Sequence, residues 1–268
     1  MRLEGQVAIV TGAATGLGAA VAEGLATRGA NVLVNYSRSK ADAEAVVEQL
    51  RANGVDAIAV QGDVAEDADC RAIAAAALQR WGRIDILINN AAKTTRMAPH
   101  DDMEALQAED FIASYRVNVI GAFQMIRACR SAMKAQGYGA VVNISSVSSL
   151  NGGGSSVAYT ASKGALNTMS QSLARALGPE IRVNTVCPGF MATRWFTSSL
   201  GEDMLRAVIE KQENTTPLAR AGKPEDVVPS ILFLAAEGAL HTTGAVIVVD
   251  AGFHLGPRPL PLSAKPQN

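Results

Sequence analysis

Two residues that could exchange a proton stand four positions apart in the second half of the chain. Tyr159 and Lys163 belong to the run 157–163, and on a helix this spacing places both side chains on one face. A free phenol has a pKa of roughly 10, but a neighbouring cation favours its ionised form and lowers that pKa. The pair could therefore form an acid/base catalyst, although the same spacing also fits a solvated polar face.

A glycine-rich loop near the start of the chain could bind a phosphate. The apolar run 7–10 leads into the segment 11–18, which has glycines at positions 12, 16 and 18 and is followed at once by a helical pattern. Such glycines let the backbone approach a pyrophosphate, and the N–H groups at a helix start favour its charge. The order of strand, glycines and helix predicts a dinucleotide site, although the spacing is not the usual G-x-G-x-x-G and an ordinary strand-to-helix turn is the alternative.

From residue 5 to residue 255 the chain resembles the short-chain dehydrogenase/reductase family. The matching pieces, all in family order, are 11–18, Gly62-Asp63-Val64, Asn89-Asn90-Ala91-Ala92, Asn118, Asn143-Ile144-Ser145-Ser146, Tyr159 with Lys163, Pro188-Gly189 with Thr193, and Thr243-Gly244 with Asp250-Ala251-Gly252. Ser146 precedes Tyr159 by thirteen residues. This is the family's usual separation, and it selects Ser146 rather than Ser145, Ser148 or Ser149.

The resemblance implies an oxidoreductase that moves a hydride between a nicotinamide cofactor and a carbonyl or secondary alcohol. Tyr159 would protonate the developing alkoxide. Lys163 would stabilise the phenolate and bind the nicotinamide ribose, while Ser146 would orient the carbonyl. Asn118 would hold a water in a proton relay with Lys163. Two structural alternatives stay open, namely a turn role for Ser146 in the serine-rich run 145–149 and a bond from Asn118 to local backbone.

The residues after the second predicted strand favour NADP(H) as the cofactor, with NAD(H) possible. An NAD-specific site places an acid here to bind the ribose 2′-hydroxyl, and no Asp or Glu occurs between positions 31 and 40. Tyr36 stands where NAD enzymes of the family often carry Asp, and Ser37 and Arg38 could hold the 2′-phosphate. Thr15 weakens this interpretation because many NADP-preferring relatives are basic there, and Arg38 could also be a solvated loop charge.

Other parts of the cofactor site follow from the resemblance alone. Asp63 and Val64 would flank the adenine, and Asn90 and Ala91 would pack near the adenosine ribose. Ala92 replaces the family's usual Gly, which would tighten the pocket. Pro188, Gly189, Met191 and Thr193 would meet the nicotinamide carboxamide. The complete predicted cofactor site consists of Gly12, Thr15, Gly16, Leu17, Gly18, Tyr36, Ser37, Arg38, Asp63, Val64, Asn90, Ala91, Ala92, Tyr159, Lys163, Pro188, Gly189, Met191 and Thr193.

The elements that must position these residues alternate along the chain. Apolar runs predict strands at 7–10, 31–35, 56–60, 84–89, 140–145, 181–187 and 245–249. Helical patterns occupy 16–28, 40–53, 66–81, 111–136, 158–177 and 224–236. Several strand runs are continuously apolar, as expected when both faces of a parallel sheet are covered. We predict an α/β fold, with a Rossmann-like doubly wound parallel sheet of about seven strands in a single domain over residues 1–255.

Two segments depart from this alternation. Residues 190–217 carry irregularly spaced apolar side chains, namely Phe190, Met191, Trp195, Phe196, Leu200 and Met204. The corresponding segment of the family shapes the substrate pocket, so we expect an apolar flap, with a helical pair packed on the core or on another subunit as the alternative. The tail 256–268 contains four prolines and is expected to be extended or disordered.

Composition argues against several classes of function. A net charge of −1 over 268 residues gives no footprint for nucleic acid. We see no signal peptide and no apolar run of about 18 residues, so we expect a cytoplasmic protein without a membrane partner. Cys70, Cys129 and Cys187 are far apart and form no CxxC. They indicate buried free thiols rather than disulfides or a zinc site, and we expect no metal.

The substrate is not determined, because the family acts on 3-oxoacyl thioesters, sugars, steroids and small alcohols with one framework. The pocket sequence, Leu150, 151–154, Phe190, Trp195 and Phe196, suggests an uncharged or mildly apolar carbonyl compound. One alternative is an acyl-carrier-protein reductase, but the stretch 134–139 offers only Lys134 to meet an acidic carrier. A second is a redox-inactive NADP-binding sensor or scaffold, against which the intact catalytic set argues.

A homotetramer is expected from the helices at 111–136 and 158–177 together with the last strand and the helix before it. Family members pair these helices across a two-fold axis. The second helix carries an apolar stripe at four-residue spacing, made of Ala161, Ala165, Met169, Leu173 and Leu177. The alternative is that this stripe covers only the chain's own sheet.

Overall fold

Seven parallel strands form one sheet in the computed structural model, which describes residues 2–193 and 201–257. Their order across the sheet is β3-β2-β1-β4-β5-β6-β7. The strands are β1 (Val7–Val10), β2 (Asn31–Tyr36), β3 (Ala57–Gln61), β4 (Ile86–Asn89), β5 (Gly139–Ile144), β6 (Ile181–Pro188) and β7 (Val246–Val249). The predicted single-domain, doubly wound α/β fold is confirmed.

Helices cover both faces of this sheet. In chain order they are α1 (Gly16–Ala26), α2 (Lys40–Ala52), α3 (Asp67–Trp81), α4 (Ala108–Tyr115), α5 (Ala122–Ala135), α6 (Ser148–Asn151), α7 (Val157–Leu177), α8 (Glu202–Thr215) and α9 (Pro224–Ala235). Helices α1, α2 and α9 pack on one face, and α3, α5 and the C-terminal half of α7 pack on the other. Because alternate strand residues enter opposite cores, the strands are apolar on both faces.

The predicted helix at 111–136 differs most from the structure. It begins earlier, at Ala108, and a π-helical turn, Arg116–Gly121, separates α4 from α5. The turn contains the buried Asn118, and single π turns of this kind are frequent at functional sites. The short helix α6 was also not predicted. Most other boundaries agree within two residues, the usual uncertainty of helix and strand ends.

The segment 190–217 is only partly the irregular flap that we expected. Helix α8 lies within it, and none of that helix's side chains is buried. It is therefore not packed into the core of its own chain. Met204 lies on α8, whereas Trp195, Phe196 and Leu200 lie outside the described residues, as does 258–268 of the proline-rich tail.

All three cysteines are buried and free, which confirms the prediction. Burial raises the pKa of Cys70 and of Cys129 to about 12, so both remain protonated thiols. Within residues 2–193 and 201–257, no helix is both long and apolar enough to cross a bilayer. The same residues contain no cluster of three His, Cys, Asp or Glu side chains that could hold a metal ion.

Candidate active site

A cleft of about 1290 Å³ opens at the carboxyl ends of strands β1 to β6. Ligands of open α/β sheets bind at this edge, outside the point where the strand order reverses. The volume exceeds that of most small-molecule pockets and has room for a dinucleotide beside a substrate. The predicted site residues that line the cleft are Gly12, Thr15, Gly16, Leu17, Ser37, Arg38, Asp63, Val64, Asn90, Ala91, Ala92, Ser146, Tyr159, Lys163, Pro188, Gly189, Met191 and Thr193.

Three predicted residues do not line the cleft. Tyr36 is only 7% exposed and packs in the core with α1 and α2. Val32, Val34 and Tyr36 alternate along β2 and so share the face that these two helices cover. The side chain of Tyr36 therefore does not line the cleft, and its part in cofactor binding stays a prediction. Gly18 lies behind the loop, where an added Cβ would stand 2.5 Å from the Gly12 carbonyl oxygen. Asn118 is buried beside the cleft.

The glycine-rich loop is fixed by bonds to its neighbouring strand ends. Gly12 and Gly16 have φ values of +60° and +59°, which favour glycine. Asn90 Nδ2 donates to the carbonyl oxygens of Thr11 and Gly12, each at 3.0 Å. The buried Asn35 accepts from the Gly12 N–H at 3.3 Å and donates to the Gly62 carbonyl at 3.0 Å. Its signal in the sequence, a polar residue inside an apolar strand, was missed.

Tyr159 and Lys163 lie on α7, whose first turn is capped by Ser156, the acceptor of the Tyr159 N–H at 3.2 Å. Their exposures are 8% and 1%, so the solvated-face alternative is wrong. The Lys163 ammonium donates to the Ile144 carbonyl at the end of β5, over 2.7 Å. The same nitrogen lies 5.6 Å from the centroid of the Tyr159 ring. Both groups face the cleft from its inner wall.

Burial controls the acid/base properties of this pair. It raises the pKa of the Tyr159 phenol to about 12, against a smaller lowering by the hydrogen bond with Ser146. It also lowers the pKa of Lys163 to about 8. The expected lowering of the Tyr159 pKa by a neighbouring cation is not found, because the ammonium is directed at Ile144 and desolvation dominates. At neutral pH the phenol holds its proton, which is the form that can donate one.

Of the clustered serines, Ser146 is the one that meets the phenol. Its side chain hydrogen-bonds with Tyr159, and its Oγ also accepts from the Ser148 N–H at 3.2 Å. It therefore has the turn role as well. Ser145 donates to the Lys163 carbonyl at 3.1 Å, and Ser149 donates to the Ser146 carbonyl at 2.5 Å. The spacing to Tyr159 thus identified the serine that lies beside the phenol.

Asn118 connects the loop after β4 to helix α7, which carries Tyr159 and Lys163. Its Oδ1 accepts from the Lys93 N–H at 2.7 Å, and its Nδ2 donates to the Lys93 carbonyl at 2.9 Å and to Ser162 Oγ at 2.8 Å. Ser162 in turn donates to the Tyr159 carbonyl at 2.6 Å. Both side-chain N–H groups of Asn118 are used in this way. Its role in a water relay with Lys163 stays a prediction.

The charged groups of the cleft lie at different strand ends. Arg38 follows β2 between Ser37 and Ser39, and all three line the cleft. Its guanidinium forms no ion pair or hydrogen bond with the residues that the structure describes. Lys93, after β4, also lines the cleft, and sequence reasoning missed both it and Ser39. A basic side chain four residues after the end of a predicted strand was the available signal for Lys93.

Residues 12–254 match a family model described as enoyl-(acyl carrier protein) reductase. A protein assigned as ketoacyl reductase 2 of the granaticin polyketide synthase of Streptomyces violaceoruber is 40% identical over 94% of this chain and 97% of its own. An L-rhamnose 1-dehydrogenase (NAD(P)(+)) of a Sphingomonas species is 37% identical over 94% and 98%. The structure of a protein assigned to the short-chain dehydrogenase/reductases of Burkholderia xenovorans superposes with a TM-score of 0.87, at 37% identity, over 94% and 98%.

The chain therefore belongs to the short-chain dehydrogenase/reductase family. It is an NAD(P)-dependent oxidoreductase that acts on CH–OH or carbonyl groups. The residues present fit a nicotinamide dinucleotide. An added Cβ at Gly12 would stand 3.0 Å from the Ala91 Cα, and the left-handed glycines leave the backbone open at the start of α1, where a pyrophosphate can bind.

The lowered pKa of Lys163 predicts how stability changes with pH. Between pH 8 and 10.5 the unfolded chain keeps the proton that the folded protein has released, so the free energy of unfolding rises with pH. From pH 8 to 10 we expect a gain of about 2 kcal/mol relative to Lys163→Met, a comparison in which both proteins keep Tyr159 and its titration. Urea unfolding of both proteins at the two pH values measures it. An equal change of the free energy of unfolding with pH in the two proteins would contradict the burial of the Lys163 ammonium.

Proposed function

We propose that this enzyme reduces a carbonyl compound with NADPH and that Tyr159 supplies the proton. The observation that carries the proposal is the contact of the buried, protonated Tyr159 phenol with Ser146 in the lining of the cleft. The bound cofactor supplies the hydride. Oxidation of the corresponding alcohol is the same reaction in reverse.

Each catalytic side chain has a task that its environment supports. Tyr159 gives its proton to the carbonyl oxygen as negative charge develops there. Ser146 orients that oxygen and shares the charge through its hydroxyl. Lys163, with a pKa near 8, is mostly cationic at neutral pH and stabilises the phenolate that remains. It would also hydrogen-bond the ribose of a bound nicotinamide cofactor. Asn118 keeps helix α7 in register with the loop after β4 through its three hydrogen bonds.

The cofactor preference for NADPH rests on Arg38 and its two neighbouring serines. They line the cleft after β2, where an NAD-specific site would present a carboxylate. Arg38 has no anionic partner among the described residues, so a 2′-phosphate can pair with its guanidinium. Strand β2 is three strands from β5, about 14 Å at normal strand spacing. That distance suits the adenosine end of a dinucleotide whose nicotinamide lies near Ser146.

A 3-oxoacyl-thioester reductase is the second candidate, and Lys93 on the cleft wall favours it by offering a cation to an acidic carrier or its phosphate. Lys134 does not bear on this question. It pairs with Glu180 at 3.7 Å at the amino ends of β5 and β6, the edge opposite the cleft.

We expect turnover of a ketone panel with NADPH. A rate with acetoacetyl-pantetheine far above all simple ketones would establish the thioester function, and no turnover at all would favour a sensor or scaffold.

We also propose that the enzyme is a homotetramer. Apolar side chains stay exposed on α4, the π turn and α5, namely Phe111, Ile112, Tyr115, Ile120 and Phe123. On α7, Leu173 and Leu177 cover the chain's own sheet, whereas Ala161 is exposed. Static light scattering should give about four times the 27.9 kDa of one chain. A mass near that of one chain would refute the oligomer.

Tyr159→Phe should lower kcat by about 10²–10⁴, because it removes only the transferable proton. Steady-state reduction of the best ketone measures the loss, and fluorescence titration should give an unchanged NADPH dissociation constant. Tyr138→Phe is the matched control, because that hydroxyl donates to the Ala235 carbonyl at 3.1 Å, away from the cleft. Tyr159→Phe with more than half of the wild-type rate would overturn the mechanism.

Arg38→Ala should raise the Michaelis constant for NADPH about tenfold or more and leave that for NADH nearly unchanged. The change removes a charge-assisted hydrogen bond to the 2′-phosphate, which NADH lacks. Lys40→Ala is the control, since Lys40 pairs with Glu44 at 3.7 Å. Equal effects on both cofactors would remove Arg38 from the phosphate site, and a wild-type preference for NADH would sink the NADPH proposal.

A further inference from the structure

Lys93 lies beside the catalytic serine rather than near the adenosine end of the cleft. It follows β4, and the neighbouring strand β5 leads into Ser145 and Ser146. Adjacent strands are about 4.8 Å apart, so the loops that carry Lys93 and Ser146 leave neighbouring strand ends, and both residues line the cleft. The Lys93 side chain lines the cleft together with Met97 and Ser155.

The backbone of Lys93 has a fixed position relative to the proton donor. The Asn118 amide bonds both the N–H and the carbonyl of Lys93, at 2.7 and 2.9 Å. The same amide reaches the Tyr159 carbonyl through Ser162, in steps of 2.8 and 2.6 Å. The bonds of Asn118 thus fix the backbone from which the Lys93 side chain extends, and Lys93 lines the cleft.

The charge of Lys93 is not compensated nearby. Its ammonium has no ion pair or hydrogen bond within residues 2–193 and 201–257. Among the described residues that line the cleft, Asp63 is the only acidic one. It follows β3, three strands from β4, or about 14 Å. An uncompensated cation in a cleft attracts anionic ligands and orients them, and Lys93 is separated from Arg38, which follows β2, by the strand β1 between β2 and β4.

The substrate end offers a second polar group that lacks a partner. Ser148 lines the cleft and is 2% exposed, and its hydroxyl has no hydrogen bond with the described residues. A buried hydroxyl without a partner costs about 1–3 kcal/mol. A substrate rich in oxygen atoms could supply that partner, whereas a purely apolar one could not.

We infer that Lys93 binds an anionic group of the substrate, so that this enzyme acts on oxo or hydroxy compounds that carry a carboxylate or a phosphate. The inference rests on the proposed function and specifies its substrate class. It replaces the uncharged substrate expected from the pocket sequence, in which Lys93 was not considered. The carbonyl lies at Ser146 and Tyr159, and the anion lies toward the loop after β4.

The test compares each anionic ligand with a neutral partner that has the same carbonyl group, by titration calorimetry on protein saturated with NADP⁺ so that no turnover is needed. Pyruvate, acetoacetate and levulinate are each paired with their methyl esters, which varies the distance from carbonyl to carboxylate. Dihydroxyacetone phosphate is paired with dihydroxyacetone, which separates phosphate from carboxylate recognition. We expect at least one anion to bind about tenfold or more tightly than its neutral partner, the range of a charge-assisted hydrogen bond.

Lys93→Met should abolish that difference and leave the affinity of the neutral partner within about twofold. Lys134→Met, at the opposite edge of the sheet, should change neither affinity.

Equal binding of every anion and its neutral partner to the wild type would overturn the inference, as would an equal loss for both partners in Lys93→Met. Weaker NADP⁺ binding in Lys93→Met, with the anion preference kept, would assign Lys93 to the cofactor instead. Failure to reduce any of these ketones with NADPH would refute the proposed function and leave the binding comparison to decide the role of Lys93.

Discussion

The hydrogen bond from the buried Lys163 ammonium to the Ile144 carbonyl is the interaction on which the rest of the site depends. A cation that is almost wholly removed from water is costly unless it is hydrogen-bonded, and this bond of 2.7 Å joins helix α7 to the end of strand β5. Burial lowers the pKa of Lys163 to about 8 and raises that of Tyr159 to about 12. The two groups thus stay, at neutral pH, a mostly charged amine and a protonated phenol side by side.

Asparagine side chains hold the loops at this edge of the sheet in place, because an amide side chain can bond a backbone donor and a backbone acceptor at once. Asn35 and Asn90 hold the glycine-rich loop to the ends of β3 and β4. Below them, Asn89 donates to Asn143 at 2.8 Å, and Asn143 donates to Ser170 of α7 at 2.8 Å. These buried side-chain bonds tie the ends of β4 and β5 to α7, and such networks rigidify their surroundings. The positions of the loops that bind cofactor and substrate are therefore set by the sheet.

The sequence predicted what depends on local pattern and spacing. Apolar runs identified the strands, and the interval between Ser146 and Tyr159 selected the serine that bonds the phenol. Features set by tertiary contacts were not predicted. The π turn around Asn118 leaves the apolar periodicity intact, Tyr36 entered the core because of strand alternation, and the direction of the Tyr159 pKa shift follows from burial. Lys134 was considered for carrier binding only because its distance from the cleft was unknown, while Lys93, on the cleft wall, was overlooked.

The central claim is that the hydride comes from the nicotinamide and the proton from a protein group in exchange with solvent. Reduction of a ketone with NADPH deuterated at the transferring position of C4, in ordinary water, separates the two sources, because a hydrogen delivered as hydride stays on carbon whereas the hydroxyl proton exchanges with water. We predict one deuterium on the new carbinol carbon and none lost to solvent, with slower turnover than unlabelled NADPH gives. A product without deuterium on that carbon would contradict the account.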